Sequence, residues 1–362
     1  MQQTTRYAYI DVLRGLAALL VVYQHTSEIT LNPALQTSSV EKSIVEFFTQ
    51  TIGIGEVGVC LFLMISGFVV PFSLLKYQSE PIRKFAVHRF FRLYPAYWLS
   101  LPLGVVFVYW GLGLWGSTQQ INWMAVLANA SMFQTFFGVG DIMGQYWTLG
   151  LELLFYMLCA ALFYFKRLQS FRWALAILIA VNVLRLVCKR FEPPEAYPYH
   201  ALILFQYLGF MFFGIFYRRW LLEKDRRAGI DAFVILLLTS LSFGAASDIG
   251  HYLHGEHTAL RQPLTQWIAI AVFFCCTRLR QPSNRAGVFL GKISYSIYLF
   301  HPIVFYPLFF YWFKTSALHA NPHAFIAVAM VLTIVLASIT YRLIEAPFVA
   351  MGSRIFPSEN SR

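Results

Sequence analysis

The chain has 362 residues, of which 58% are hydrophobic and only 12% are charged. This composition excludes an ordinary soluble domain and is typical of a membrane protein with several spanning segments. The formal net charge of +11 comes from short basic clusters between apolar runs, which indicate membrane topology rather than binding of nucleic acid.

The apolar runs predict an all-α polytopic fold with about ten transmembrane helices, because each run is about 17 to 25 residues long. The runs lie roughly at residues 9–29, 53–75, 92–113, 146–166, 171–189, 198–217, 229–248, 262–278, 289–313 and 322–346.

The basic clusters between the runs predict the orientation. They lie at residues 76–92, 166–172, 218–227, 278–292 and 342–354. If all ten helices span, every cluster falls on the same side as the N-terminus. The positive-inside rule then places the N- and C-termini in the cytoplasm. Lys189 and Arg190, at the outer end of the fifth helix, are an exception to this pattern.

The moderately apolar segment near 121–140 does not fit this alternation as a further span, because counting it would move the next basic cluster to the outside. We therefore expect a re-entrant or interfacial element on the outer face. No linker or internal repeat divides the sequence. We expect a single integral membrane domain over residues 1–350 and a short cytoplasmic tail over residues 351–362.

The first predicted helix carries two residues that are costly in a bilayer, Arg14 and His25. They are eleven positions apart, which places them on one helical face, about 16 Å apart along the axis. Ionisable residues inside a membrane usually have a function, so His25 is a candidate for chemistry. The alternatives are an interfacial anchor for Arg14, paired with Asp11, and a hydrogen-bonded structural imidazole for His25.

Further polar positions lie in the second helix and in the basic stretch after it. Ser66 and Gly67 interrupt an apolar run, and a small pair there most often allows close helix packing. Arg89 and Arg92 are three residues apart and share a helical face. Their forked donors suit a phosphate-rich ligand, although plain topology anchors explain them equally well. Tyr94 fits an interfacial entry to the third helix.

The fourth predicted helix places a carboxylate inside the membrane. Trp147 fits the outer aromatic belt, and Glu152 lies about 8 Å deeper at the helical rise of 1.5 Å per residue. The predicted topology brings Glu152 to a depth similar to that of His25, where a carboxylate can orient an imidazole. A structural hydrogen bond to another helix is the alternative.

The ninth predicted helix presents Ser294, Tyr295, Tyr298 and His301 at helical spacings of three and four, which favours an interior-facing polar strip. Pro302 predicts a kink in this helix. His301 suits a position on a substrate path, and a satisfied core histidine is an equal alternative.

A histidine-rich loop follows the seventh predicted helix and contains His251, His254 and His257 beside Asp248 and Glu256. Such side chains are potential ligands of a transition metal. Because the loop lacks a recognisable zinc signature, we expect no metal site there.

Six short motifs follow one another along the chain. They are Arg14 with His25 after ten intervening residues, ISG at 65–67, RFFRLYP at 89–95, WTLGLE at 147–152, SYSIYLFHP at 294–302 and RLIEAP at 342–347. In this order they resemble the acyltransferase 3 family of integral membrane acyltransferases, and the likeness runs nearly end to end.

The resemblance implies transfer of an acyl group, usually acetyl, from cytoplasmic acyl-CoA to a hydroxyl of a sugar or related acceptor. In many bacterial members the acceptor is a lipid-linked or exported glycan at the outer face of the inner membrane. We therefore expect a multi-pass protein of the bacterial inner membrane, with polysaccharide-assembly proteins as candidate partners. Acyl-CoA would be a co-substrate, and no permanently bound cofactor is expected. We expect the standalone form, without the hydrolase-like domain that some members carry.

Geometry and resemblance together assign expected roles. His25 would be the general base, oriented by Glu152, while Arg14 would stabilise charge on the carbonyl oxygen. An acyl-histidine intermediate is also compatible with the sequence. The expected acyl-CoA-binding residues are Arg89, Arg92, Ser66 and Tyr94, and the expected substrate path includes Trp147, Tyr298 and His301.

Two other classes of protein compete with this interpretation. A proton-coupled transporter of a small polar solute would also combine ten helices with buried charge and histidine. Its usual marks are repeated halves with paired broken helices, which the sequence does not contain. The other class is a non-catalytic assembly factor in a polysaccharide machine.

Overall fold

In the computed structural model, residues 7–31, 39–114, 122–191, 202, 204–244, 258–314 and 322–356 are described, and their regular elements are all helices. The α-helices are α1 Ala8–Thr30, α2 Ser39–Glu46, α3 Ile54–Leu74, α4 Pro81–Leu114, α5 Trp123–Ala130, α6 Tyr146–Tyr164, α7 Phe171–Phe191, α8 Leu208–Leu222, α9 Arg226–Gly244, α10 Thr258–Phe274, α11 Arg285–Lys292, α12 Ser294–Lys314, α13 Pro322–Thr340 and α14 Ala346–Ile355. Three π-helical segments, Phe47–Ile52, Cys275–Leu279 and Tyr341–Glu345, and the 3₁₀ turn Gln134–Phe137 complete the set.

The long helices follow the predicted apolar runs, which confirms the all-α prediction. By length and apolarity, four helical stretches of the described residues can cross a membrane, or five if a bent pair counts as one span. These stretches are Val40–Leu74, Tyr146–Tyr164, Phe171–Cys188 and Pro322–Ile355, and the bent pair is Arg285–Lys292 with Ser294–Tyr311. The protein is a multi-pass membrane protein, whereas the count of ten spans and the side of each terminus stay predictions.

The chain forms two compact units, which we call the first and second units. The first unit comprises the described parts of 1–62, 96–121 and 264–346, and the second comprises those of 63–95, 122–263 and 347–362. The predicted single domain over 1–350 stays a prediction.

In the first unit, α1 packs closely on α11. A Cβ atom at Gly15 would lie 2.7 Å from Cβ of Leu290, and one at Gly291 would overlap the carbonyl oxygen of Asp11. Glycine at both positions therefore allows the two backbones to touch. The core beside this crossing is built from α1, α12, α13 and the junction before α12, through the buried residues Ala18, Val22, Ile293, Ile297 and Ala337.

The ninth predicted span is broken in the structure. The axes of α11 and α12 differ by 70°, with the break at Ile293. The helix α12 then continues through Pro302 and Pro307, and the kink predicted at Pro302 stays a prediction. The bend at Ile293 lets α11 pack on α1 while α12 carries the polar strip.

In the second unit, the C-terminal part of α3 crosses α8 at two glycines. A Cβ atom at Gly67 would overlap the carbonyl oxygen of Met211, and one at Gly214 would overlap that of Met64. The prediction of close packing at Gly67 is confirmed. Arg218 of α8 strengthens the crossing, because it donates a hydrogen bond to the carbonyl oxygen of Phe68 at 2.9 Å.

The segment predicted to be re-entrant or interfacial folds as two short pieces in the second unit. The helix α5 has eight residues, which is too short to cross a bilayer, and it is followed by the 3₁₀ turn. Trp123 and Leu127 of α5 are exposed, while Tyr94 of α4 donates to the carbonyl oxygen of Ser131 at 3.0 Å. The re-entrant or interfacial placement of this segment on the outer face stays a prediction.

Candidate active site

His25 lies near the C-terminal end of α1 and faces a carboxylate on the same helix. Its Nδ1 is 3.4 Å from Oε2 of Glu28, one turn further along. Both side chains are partly accessible, at 38% and 39% of their surface. With Nδ1 directed at the carboxylate, Nε2 is the ring nitrogen that can act as a base.

Gln24 holds that carboxylate in place. Its amide nitrogen donates to Oε1 of Glu28 at 2.6 Å and to the carbonyl oxygen of Thr49 at 3.1 Å, and its amide oxygen accepts from the backbone N–H of Gly55. Gln24 is buried, so its two hydrogen bonds to the backbone are protected from water. The series of side-chain contacts from Gln24 through Glu28 to His25 is therefore fixed to the backbone around the start of α3.

His301 lies beside His25 in the same unit. The two imidazole rings stack with centroids 5.3 Å apart and planes inclined by 23°. His301 is fully buried, and its Nδ1 is 2.7 Å from the carbonyl oxygen of Tyr298. A carbonyl oxygen can only accept, so Nδ1 carries the proton and Nε2 is an acceptor. Among the described residues, that buried Nε2 has no hydrogen-bond partner.

Aromatic rings enclose the histidine pair. Tyr298 and Phe305 lie on either side of His301 along α12, with ring centroids 6.2 and 5.9 Å from its own. Phe62 packs edge-on against Tyr298 at 5.6 Å. The first unit therefore brings together His25, Tyr298 and His301, which were predicted from the sequence as parts of one site.

Arg14 takes the partner that was considered as its structural alternative. Its guanidinium Nη1 is 3.8 Å from Oδ1 of Asp11, which is 5% exposed. Asp11 in turn lies at the contact between α1 and α11, where its carbonyl oxygen meets Gly291. This pairing explains how α1 tolerates an arginine and leaves a catalytic role for Arg14 as a prediction.

Glu152 is the centre of a polar cluster in the second unit. Oε1 of Glu152 accepts hydrogen bonds from the hydroxyls of Ser66 at 3.1 Å and of Tyr156 at 2.5 Å. Ser66 comes from α3 and Tyr156 lies one turn after Glu152 on α6. Ser66 thus has a hydrogen-bonding role, while Gly67 beside it makes the helix contact.

Arg89 extends this cluster. Its guanidinium carbon lies 4.9 Å from the ring centroid of Tyr156 and 5.2 Å from that of Phe85, and its Nη2 donates to the hydroxyl of Ser73 at 3.0 Å. Stacking on aromatic faces fixes the plane of the guanidinium. The bond to Ser73 uses one of its five N–H donors.

The remaining predicted residues of this unit occupy separate positions. Arg92 is half-buried on α4, one turn after Arg89. The ring of Trp147 packs on that of Tyr207 at 5.3 Å. Tyr94 uses its hydroxyl on the turn after α5, which is a structural contact that the sequence did not predict.

Several site residues escaped the sequence analysis: Gln24, Glu28, Ser73 and Tyr156. Glu28 and Gln24 are three positions after and one before His25, and Tyr156 is four after Glu152. Helical spacing of three and four was therefore an available signal for Glu28 and Tyr156. The loop with His251, His254 and His257 lies outside the described residues.

Comparison with known proteins extends these observations. The acyltransferase 3 family model, described as an acyltransferase domain, matches residues 7–342. The chain is also similar to the peptidoglycan O-acetyltransferase OatA of Listeria monocytogenes serovar 1/2a (strain ATCC BAA-679 / EGD-e), with 26% identity over 208 residues, covering 52% of this chain and 30% of the relative. The chain thus spans less than a third of that relative's length, and no solved structure matches it. Because the family model covers nearly the whole chain, both units included, this protein belongs to the acyltransferase 3 family.

Proposed function

We propose that the protein is a membrane O-acyltransferase that moves an acyl group, most simply acetyl, from cytoplasmic acyl-CoA to a hydroxyl of a cell-surface or exported glycan. Family membership supports the reaction class. The observation that carries the assignment of the centre is the half-accessible His25, whose Nδ1 faces the anchored carboxylate of Glu28. An imidazole oriented by a carboxylate is the usual form of a general base in acyl transfer.

In this proposal His25 moves one proton through the reaction. Its Nε2 takes the proton of the acceptor hydroxyl as the hydroxyl oxygen attacks the thioester carbonyl. The carbon–sulfur bond then breaks, and the imidazolium returns the proton to the departing thiolate of CoA. Glu28 holds Nδ1–H and balances the positive charge of the imidazolium. A role of Arg14 at the carbonyl oxygen stays a prediction, because Arg14 lies about 16 Å from His25 along α1 and pairs with Asp11.

Glu152 has a separate place in the proposal. Its two hydroxyl donors, Ser66 and Tyr156, support a role in organising the cluster that holds Arg89. The prediction that Glu152 orients His25 stays a prediction, since the carboxylate beside His25 in the first unit is Glu28.

The donor would bind through its phosphates at Arg89 and Arg92. Support for this comes from the fixed plane of the Arg89 guanidinium, because a held fork matches phosphate oxygens in a bidentate manner. Ser66 and Tyr94 would line the path of the pantetheine arm. Trp147, Tyr298 and His301 would contact the acceptor or the acyl group.

The acceptor class is drawn from the relatives. OatA is named for O-acetylation of peptidoglycan. We propose a glycan acceptor for this chain, which includes peptidoglycan, lipopolysaccharide and exopolysaccharide. A site at the bacterial inner membrane would give access to cytoplasmic acyl-CoA and to an acceptor on the outer face.

Transfer of label tests the proposal directly. Membranes that contain the protein and membranes that lack it would receive acetyl-CoA labelled in the acetyl group, and the glycan fraction would be analysed for ester-bound label by mass spectrometry. Ester label that requires the protein supports the proposal. Label in neither membrane, with native glycans present, would contradict it.

A further inference from the structure

His301 differs from an ordinary core histidine in the state of its two ring nitrogens. The carbonyl oxygen of Tyr298 accepts from Nδ1 at 2.7 Å and so fixes the tautomer in which Nε2 has a lone pair. The side chain is 0% exposed, and Nε2 has no partner among the described residues. Buried polar atoms of native proteins are nearly always paired, so an exception calls for an explanation.

The chemistry of the missing partner follows from the tautomer. A lone pair needs a donor, which means an O–H or N–H group. The rings that pack on His301 include those of Tyr298 and Phe305 along its own helix and the imidazole of His25 from α1. A substrate group bound at His25 therefore lies close to His301.

The accessible neighbour of this position is His25. The side chain of His25 is 38% exposed, whereas its stacked neighbour is fully buried. The partly exposed ring of His25 thus lies directly against the buried ring of His301, whose Nε2 is the acceptor, with the two ring centroids 5.3 Å apart. A substrate group that contacts the ring of His25 is therefore close to the ring of His301, which stacks on it.

We propose that Nε2 of His301 accepts a hydrogen bond from a donor group of a substrate and thereby positions that substrate at His25. The donor is a hydroxyl of the acyl acceptor or an amide N–H of the pantetheine arm. This inference rests on the proposed function. It makes His301 a substrate-binding residue rather than a packing residue.

Two substitutions separate the two ring nitrogens. In His301→Asn, the amide nitrogen stands near the position of Nδ1 and can still donate to Tyr298, but no acceptor remains at the position of Nε2. In His301→Gln, the amide oxygen reaches the position of Nε2, while the bond to Tyr298 is lost. The proposal predicts that Gln retains more transfer activity than Asn, although a purely structural histidine would give the opposite order.

Steady-state kinetics identifies the donor. One hydrogen bond corresponds to an increase in KM of about tenfold in His301→Asn. If only the KM for the acceptor increases, the hydrogen-bond donor is the acceptor hydroxyl. If only the KM for acyl-CoA increases, the donor is the pantetheine amide. Unchanged KM values for both substrates, in a variant with wild-type thermal stability, would overturn the proposal.

A spectroscopic readout keeps the inference distinct from the proposed reaction. Nitrogen NMR of histidine-labelled protein in lipid reports the state of Nε2, with His301→Asn used to assign the signal. We expect an unprotonated Nε2 whose resonance moves when acetyl-CoA or glycan is added. If no acyl transfer is detected but the Nε2 resonance still moves on addition of substrate, the proposed reaction is wrong and the proposal that His301 binds substrate is supported. If transfer succeeds and the resonance stays fixed with both substrates, the inference about His301 is wrong.

Discussion

The imidazole of His301 stacks on that of His25 with ring centroids 5.3 Å apart, although the two residues are 276 positions apart in the chain. One ring is buried and the other is partly accessible. This relationship joins the first and ninth predicted helices in one centre. It also shows that His25 of α1 is the residue packed against the polar strip of α12, which the helical periodicity of the sequence alone does not identify.

Replacing Glu28 by Gln tests the carboxylate that faces His25. The substitution keeps the size of the side chain but removes the charge that orients Nδ1. We expect kcat to fall at least about tenfold, with little change in either KM. Glu46→Gln is a matched control, because Glu46 forms an exposed pair with Lys42 at 3.7 Å and should tolerate the change. Wild-type kcat in Glu28→Gln, together with loss of activity in Glu152→Gln, would assign the orienting role to Glu152.

Replacing Arg89 tests the binding of acyl-CoA. Arg89→Gln removes the charge, and Arg89→Lys keeps the charge but loses the forked donors and the stacking on Tyr156. We expect KM for acyl-CoA to rise about tenfold or more in Arg89→Gln and by less in Arg89→Lys, while kcat changes little. Arg83→Gln serves as control, since Arg83 on the same helix is 68% exposed and pairs with Glu80. Equal effects of Arg83→Gln and Arg89→Gln would indicate a general effect of surface charge.

Replacing Gly67 by Ala tests the crossing of α3 and α8. The added methyl group would overlap the carbonyl oxygen of Met211, and backbone yields less readily than a side chain. We expect a loss of stability of about 1–3 kcal/mol, measured as a lower Tm in detergent or lipid. Gly144→Ala is the control, because nothing lies within 4 Å of a Cβ atom there. A Tm equal to that of the control would mean that the two helices do not touch as closely as described.

Replacing Asp141 by Asn should change the pH dependence of stability. Burial raises the pKa of Asp141 to about 6, although hydrogen bonds from Gln134 and Thr135 oppose the shift. The folded protein therefore holds a proton that the unfolded chain releases, and stability falls as pH rises from about 4 to about 6. We expect Asp141→Asn to raise the free energy of unfolding at pH 8 by an amount on the order of 1–3 kcal/mol, measured as a higher Tm, and to have little effect at pH 4.5. Equal effects at both pH values would place Asp141 in a solvated environment.

The sequence predicted most of the helices and part of the site, for physical reasons that differ. Apolar runs of spanning length mark helices directly, so α3 and α6 begin and end within two residues of their predicted bounds. The break at Ile293 could not be predicted, because it depends on the packing of α11 on α1, whereas Pro302 offered a stronger local signal.

Some polar residues of the site could likewise be predicted from the sequence, and others could not. Arg14, His25 and Glu152 stand out because each is costly in a bilayer. Glu28 did not, since a carboxylate at a helix end is ordinary there, and its importance depends on Gln24 holding it toward His25. The orphaned Nε2 of His301 depends on how α1 and α12 pack, which no local pattern encodes.

The central claim is that His25 carries out the proton transfer, and the most direct measurement compares the wild-type protein with His25→Ala at equal expression. Membranes would receive labelled acetyl-CoA, and the initial rate of ester formation on the glycan would be recorded at saturating donor. General-base catalysis typically contributes about 100- to 10,000-fold, so we expect a loss of at least about 100-fold in His25→Ala. Equal rates of labelling in the two membranes would contradict the account and remove His25 from the chemistry.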